Sequence, residues 1–254
     1  MYLGAALAVE LFQQLSPAGV AWLRMLVAAL VLLAWRRPDR AAWRAQRLIP
    51  AGCFGLVTGM MNVTFYEAIA RLPLGTAVAV EFSGPVVVAA LGSRTVRDVA
   101  ALVLAATGVA LIAHVRLAGS RTGLLLALLA ALMWAAYIVL GKRVACGGTG
   151  LDDMSVGFAV ATALLCPLAA GTGPVWGAPT LLVLAAAVGV LSTVLPYAFD
   201  QVVLRRIDHS RFALLLALLP AAASVVGFLV LRQVPRPEEA AGIVAVALAV
   251  IAAR

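Results

Sequence analysis

Long apolar runs separated by short polar breaks dominate this chain. Nine such runs stand out, at residues 17–35, 47–69, 73–92, 96–115, 121–141, 152–170, 179–204, 209–231 and 237–253. Their lengths centre on the roughly 20 residues with which a helix crosses a hydrocarbon core of about 30 Å. Residues 1–12 are apolar too, but short for a crossing, and read as the back half of a first helix whose front half is missing. The breaks carry turn formers: Pro17, Pro38, Pro73, Gly147–Gly148, Pro235 and Pro237. They leave no room for a soluble domain. The expected fold class is an all-α polytopic membrane protein.

Composition agrees with that pattern. Hydrophobic residues make up 64% of the chain and charged residues 12%, and mean hydropathy is +1.07. Soluble domains are about half apolar and about a quarter charged, so a chain this apolar needs hydrocarbon as solvent. No charged n-region follows Met1, so a secretory signal is not expected. The net charge of +8 suggests nucleic acid at first sight. The basic residues instead sit in short clusters between apolar runs, without a basic face interleaved with aromatics. No nucleic-acid partner is expected. Cys53, Cys146 and Cys166 are far apart and match no zinc or redox spacing. No metal or other cofactor is expected. Ser, His and Asp occur only scattered through loops and interfaces, so no catalytic constellation is expected and the chain does not read as an enzyme.

The basic residues also orient the chain. With the Arg36–Arg47 loop on the cytoplasmic side, thirteen of the 19 basic residues fall on that side and five opposite, and Arg24 lies within a span. This asymmetry follows the positive-inside rule. It predicts a cytoplasmic C-terminus and, with ten helices, a cytoplasmic N-terminus, in the cell membrane.

The chain repeats itself weakly at a shift of 134–135 residues. Gly55 matches Gly189, Thr58 matches Ser192, Phe65 matches Phe199, Arg71 matches Arg205, Pro85 matches Pro220, Gly92 matches Gly227 and Gly108 matches Gly242. The shift covers five helices, an odd number, so the halves are expected to be inserted upside down relative to each other. Inverted repeats typify transporters whose substrate site lies near the midplane.

The segments Met60–Gly75 (MMNVTFYEAIARLPLG), Ala77–Pro85 (AVAVEFSGP), Leu191–Phe199 (LSTVLPYAF) and Gly4–Arg24 resemble the EamA-type drug/metabolite transporters, in particular the threonine/homoserine exporters. The resemblance covers nearly the whole chain. It implies a ten-helix architecture of two inverted five-helix repeats, 1–115 (first helix truncated) and 121–254. It also implies proton-driven export of amino acids or related metabolites. The chain departs from the family pattern at Val9, where relatives often carry lysine, at Leu219, where they carry glutamate, and at Arg232–Gln233, where a Gly-Glu pair is common. Two other readings stay open: export of another cargo (drugs, amines, sugars), and a non-transporting membrane subunit. Besides the solute, the lipid bilayer and protons are the expected partners, and a homodimer stays open.

Several polar residues inside the spans could carry transport. Thr58, Asn62 and Tyr66 recur at i, i+4 and i+8, one stripe of a helix, and their repeat partners Ser192, Pro196 and Asp200 form another. Such stripes can line a substrate site or serve as interhelical glue beside the small residues Gly55 and Gly59. Glu81 lies about eight residues into a span, ~12 Å deep at 1.5 Å per residue. A charge there costs on the order of 3 kcal/mol or more, and protonation removes that cost. Glu81 is therefore the expected proton-coupling residue, with Asn62 and Tyr66 beside it at the substrate site. Trp134 and Tyr137, at i and i+3, and Tyr197 are candidates to line the site or to act as packing and anchors. Arg24 could contact a substrate carboxylate or snorkel to the headgroups, and Asp200 could gate or pair with Arg205 and Arg206. Pro85 and Pro220 are expected to bend their helices. Glu67 and Arg71 read as a surface ion pair.

Overall fold

A computed structural model describes residues 2–92, 95–116, 120–146, 150–206, 218–232 and 236–252. Among these no strand occurs. Twelve α-helices follow in order. They are α1 (Tyr2–Leu11), α2 (Pro17–Arg36), α3 (Ala45–Ile69), α4 (Leu74–Glu81), α5 (Ser83–Gly92), α6 (Val96–Arg116) and α7 (Arg121–Cys146). The rest are α8 (Gly150–Leu164), α9 (Pro179–Gly189), α10 (Leu195–Arg206), α11 (Leu218–Leu231) and α12 (Pro237–Ala252). A 3₁₀ turn occupies Arg40–Trp43, a longer 3₁₀ stretch Cys166–Gly177, and a π-helical turn Val190–Val194 joins α9 to α10.

Local chemistry sets these ends. The Ser16 hydroxyl accepts from the Gly19 amide at 3.0 Å and Pro17 follows at the first helical position, so α2 starts with a filled cap. It stops at Arg37, left-handed at φ 46°, whose amide returns to the Leu33 carbonyl at 2.9 Å.

Among the described residues four helical segments are long and apolar enough to span a membrane: Pro17–Arg36, Ala45–Ile69, Arg121–Ala145 and Pro179–Asp200. The pair α8 and Cys166–Gly177, bent by 84°, makes a fifth if it is one span. Shorter apolar helices cover Leu74–Val88, Val99–Gly108 and Ala240–Ala249. Over the described residues the helices follow the expected runs, with 209–217 of the run 209–231 outside them, and the runs 73–92 and 152–170 are not single straight rods. The run 73–92 is interrupted at Phe82, and 152–170 turns at Leu165. Proline accounts for both interruptions. Pro85 has no N–H for the Glu81 carbonyl, and Pro167 none for that of Ala163. Expectations at Gly147–Gly148, Gln233 and Pro235 lie outside the described residues, as does any bend just before Pro220.

The chain divides into two compact units, and each draws on both halves of the sequence: 1–66 with 139–206, and 67–138 with 207–254. In the first, α2 packs along α8, and α3 comes close enough to α8 that a Cβ on Gly55 would land on the Gly157 carbonyl. Only glycine permits that approach. In the second, α6 and α12 pair extensively, and a Cβ on Gly108 would lie 2.7 Å from the Gly242 carbonyl oxygen.

A candidate substrate site among buried polar side chains

In the first unit the α3 stripe is buried: Thr58, Asn62 and Tyr66 are 0%, 2% and 0% exposed. The three differ in their commitments. Thr58 donates to the Phe54 carbonyl at 2.7 Å, a bond within its own helix. The Asn62 amide reaches across to α2, where its Nδ2 approaches the Met25 sulfur at 3.4 Å. Thioether sulfur is a weak acceptor. Asn62 Oδ1 accepts from the Tyr197 hydroxyl of α10 at 3.3 Å, and the Tyr197 ring meets Phe158 edge-on at 5.7 Å. Two of the residues singled out from opposite halves of the sequence therefore touch. The Tyr66 hydroxyl is buried with no hydrogen-bond partner among the described residues.

Arg24 is 1% exposed. Snorkelling to the headgroups is thereby ruled out, because the guanidinium turns inward between α3 and the π turn. Its Cζ lies 4.8 Å from the Tyr66 ring centroid, a cation–π distance. Nε donates to Thr193 Oγ1 at 2.7 Å and Nη2 to the Ser192 carbonyl at 2.5 Å. The local sequence explains that carbonyl. Pro196 lacks the N–H that an α-helix would return to Ser192, the helix widens into a π turn, as Leu195 N–H reaches back to the Val190 carbonyl, and the arginine takes the acceptor. π turns often occur at functional sites. Ser192 thus offers its carbonyl here, while its hydroxyl donates to Val188 of its own helix. Among the described residues no carboxylate lies within ion-pair distance of Arg24.

Glu81, Trp134 and Tyr137 belong to the second unit, whereas Asn62, Tyr66 and Tyr197 belong to the first. Glu81 closes α4 and is 2% exposed. Phe82, which follows it, stands edge-on to Trp134 with ring centroids 4.6 Å apart. A Cβ on Gly84 would fall on the Ala131 carbonyl, so the start of α5 presses directly against α7. Trp134 and Tyr137 are both buried, 7% and 4% exposed. Asp200 is half-buried on α10, and the side chains of Arg205 and Arg206 lie outside the described residues.

Sequence spacing missed three participants: Thr193, Met25 and Phe158. A hydroxyl three residues before a proline in an apolar helix was the available signal for Thr193. Met25 and Phe158 look like ordinary lipid-soluble residues.

At the end of the first unit that carries the Arg36–Arg47 loop, the charges pair off. Arg36 meets Asp152 at 2.8 Å, and Arg47 meets Asp153 at 2.7 Å and Asp39 at 3.7 Å. Asp152 and Asp153 occupy the first turn of α8, where the helix dipole favours negative charge. Glu67 and Arg71 form the expected i, i+4 ion pair.

Apolar helices of membrane length, broken at prolines and burying polar and charged side chains, define a multi-pass membrane protein. The model of the EamA-like transporter family matches residues 121–253, and the chain belongs to that family. It is a transporter rather than an enzyme. Threonine/homoserine exporter RhtA of Salmonella typhimurium (strain LT2) is 37% identical over 238 residues, covering 91% of this chain and 79% of the relative. Its namesake from Escherichia coli (strain K12) is 35% identical over 242 residues, covering 92% and 80%. A solved protein crystal structure superposes with a TM-score of 0.62 at 18% identity, covering 98% of this chain and 94% of that one.

Proposed function

We propose that the chain exports small amino acids, threonine- or homoserine-like, by proton-coupled alternating access. One observation carries the reading: the buried polar stripe of α3 meets α10 through the Asn62–Tyr197 contact at 3.3 Å. An intramembrane polar contact between segments from both sequence halves is what a midplane site in a repeated transporter requires. Similarity to the two exporters supports the cargo class. Asn62, Tyr66 and Tyr197 contact the solute within the first unit, with Thr58 beside them; Trp134 and Tyr137 serve with Glu81 in the second unit. Ser192 contributes through the carbonyl that positions Arg24. Asp200, one turn beyond Tyr197, acts at the gate.

Residues 1–115 and 121–254 are the two repeats. Gly108 and Gly242, matched by the sequence shift, meet each other on α6 and α12. Equivalent residues in mutual contact are expected along a two-fold axis relating the halves. The Arg36–Arg47 loop and the C-terminus face the cytoplasm.

Glu81 carries the proton. A carboxylate in hydrocarbon is costly and a carboxylic acid far less so, so loading a proton lets this residue change surroundings. In proteoliposomes, labelled threonine loaded inside should leave faster when an inward proton gradient is imposed. Glu81→Gln should remove that acceleration, at least about tenfold on the 10²–10⁴ scale of proton-transfer roles, while threonine–threonine exchange persists. Gradient-driven efflux at the parent rate in the variant would refute the role of Glu81. Absence of threonine flux in the parent would refute the cargo.

A further inference from the structure

We infer that Arg24, with Tyr66 and Asn62, forms a carboxylate-recognition site, so that the solute must carry a free carboxylate. The inference rests on the reading of the chain as a small-solute exporter and goes beyond it by naming the group that is recognised.

The donors and acceptors around Arg24 do not balance. A guanidinium has more N–H groups than the two acceptors supplied by Thr193 and Ser192. Both acceptors are neutral, and no described carboxylate pairs with the cation. Tyr66, whose ring lies against the same guanidinium, has a buried hydroxyl with no hydrogen-bond partner among the described residues. The Asn62 Nδ2 meets only thioether sulfur among its described hydrogen bonds, and its Oδ1 is already taken by Tyr197. Three donor groups and one positive charge on α2 and α3 of the first unit thus share an acceptor deficit, away from water. Buried polar groups normally find partners, and an unpaired buried charge is expensive. The ligand that corrects both shortages is acceptor-rich and anionic. A planar carboxylate matches the guanidinium fork; an amine or a neutral sugar leaves the charge unanswered.

The geometry also gives the site a resting state. Thr193 and the Ser192 carbonyl hold the guanidinium in place when no anion is bound. An incoming carboxylate can use the remaining N–H groups or displace the carbonyl contact, which ties occupancy to the π turn between α9 and α10.

The test uses the detergent-purified full chain and follows its thermal unfolding with added solutes, since a ligand that binds the folded state raises the midpoint. The probes are threonine, threoninamide, which lacks the carboxylate, and 4-hydroxybutyrate, which keeps a carboxylate but lacks the amine. Threonine should stabilise the parent and threoninamide should not. Arg24→Gln should weaken threonine binding at least about thirtyfold, as for loss of one partner of a buried charge pair. Because Arg24→Gln disturbs a packed region, Tyr66→Phe is the second variant. It removes only a hydroxyl without a described partner, so its basal midpoint should equal or exceed the parent's, with threonine binding about tenfold weaker. Equal binding of threonine and threoninamide, or full threonine affinity in Tyr66→Phe and a folded Arg24→Gln, overturns the carboxylate site and leaves amino-acid export standing. Stabilisation by 4-hydroxybutyrate but not threonine, lost in both variants, upholds the site and overturns the amino-acid cargo. No response of the parent to either carboxylate overturns both.

Discussion

The Arg24 guanidinium leans on two neighbours that serve it differently. Thr193 offers a side-chain oxygen at 2.7 Å, and Ser192 offers its backbone carbonyl, with its hydroxyl turned to Val188. Substitution should separate the two. Thr193→Val keeps the shape but removes the acceptor of a charged donor, a loss of about 1.5–3 kcal/mol. Ser192→Ala removes only a hydroxyl bonded within its own helix and should cost less than about 1 kcal/mol. Thermal unfolding of the two variants side by side in one detergent checks the order; equal destabilisation would mean that Thr193 does not hold the arginine. The position of Arg24 inside an apolar run was legible in the sequence; its full burial was not, since snorkelling stayed open. The direction in which it points was not. A long, flexible cation near a span end can reach outward as easily as inward, and its inward acceptors sit about 168 residues further along the chain.

At the scale of elements, periodicity and proline account for most of what could be foreseen. The i, i+4, i+8 spacing of Thr58, Asn62 and Tyr66 placed them on one face of α3, and all three are buried there. Pro85 foretold a perturbed helix, and the interruption falls three residues before it, at Phe82. Helix neighbours were harder to foresee, because spacing along a helix identifies its face but not what that face meets. Gly55 was recognisable as part of a small-residue stripe, yet its partner Gly157 lies on α8 and has no local signal. The contact is backbone against backbone, so it has no flexible side chain to yield. Gly55→Leu should therefore cost more than the 1–3 kcal/mol of ordinary overpacking, seen as loss of folded, monodisperse protein on size exclusion. A comparison substitution at Cys53, whose side chain is exposed, to Leu should leave yield and midpoint close to the parent. If Gly55→Leu behaves like Cys53→Leu, α3 and α8 do not approach as closely as described.

For the whole molecule, orientation in the bilayer follows from charge, and one helix suffices to test it. Helix α3 has 25 residues, about 37 Å at 1.5 Å per residue, which exceeds the roughly 30 Å hydrocarbon core. Its two ends must then emerge on opposite sides. The thirteen-to-five distribution of basic residues predicts that the start of α3, next to the Arg36–Arg47 loop, faces the cytoplasm. The pairing of Arg36 and Arg47 with Asp152 and Asp153 moderates the local field, but the rule counts Lys and Arg rather than net charge, so the same orientation is predicted. Reporter positions must be exposed and uncharged. Ala42, in the middle of the loop, is buried at 0% exposure and would resist any reagent from either side. Gln46, in the first turn of α3, and Ala70, just past its end, are both exposed. In a background with Cys53, Cys146 and Cys166 replaced by serine, Ala70→Cys should react with a membrane-impermeant maleimide on intact cells. Gln46→Cys should react only after the membrane is permeabilised. The reverse pattern would invert the topology and move the C-terminus outside with it; labelling of both positions on intact cells would mean that α3 does not cross the membrane.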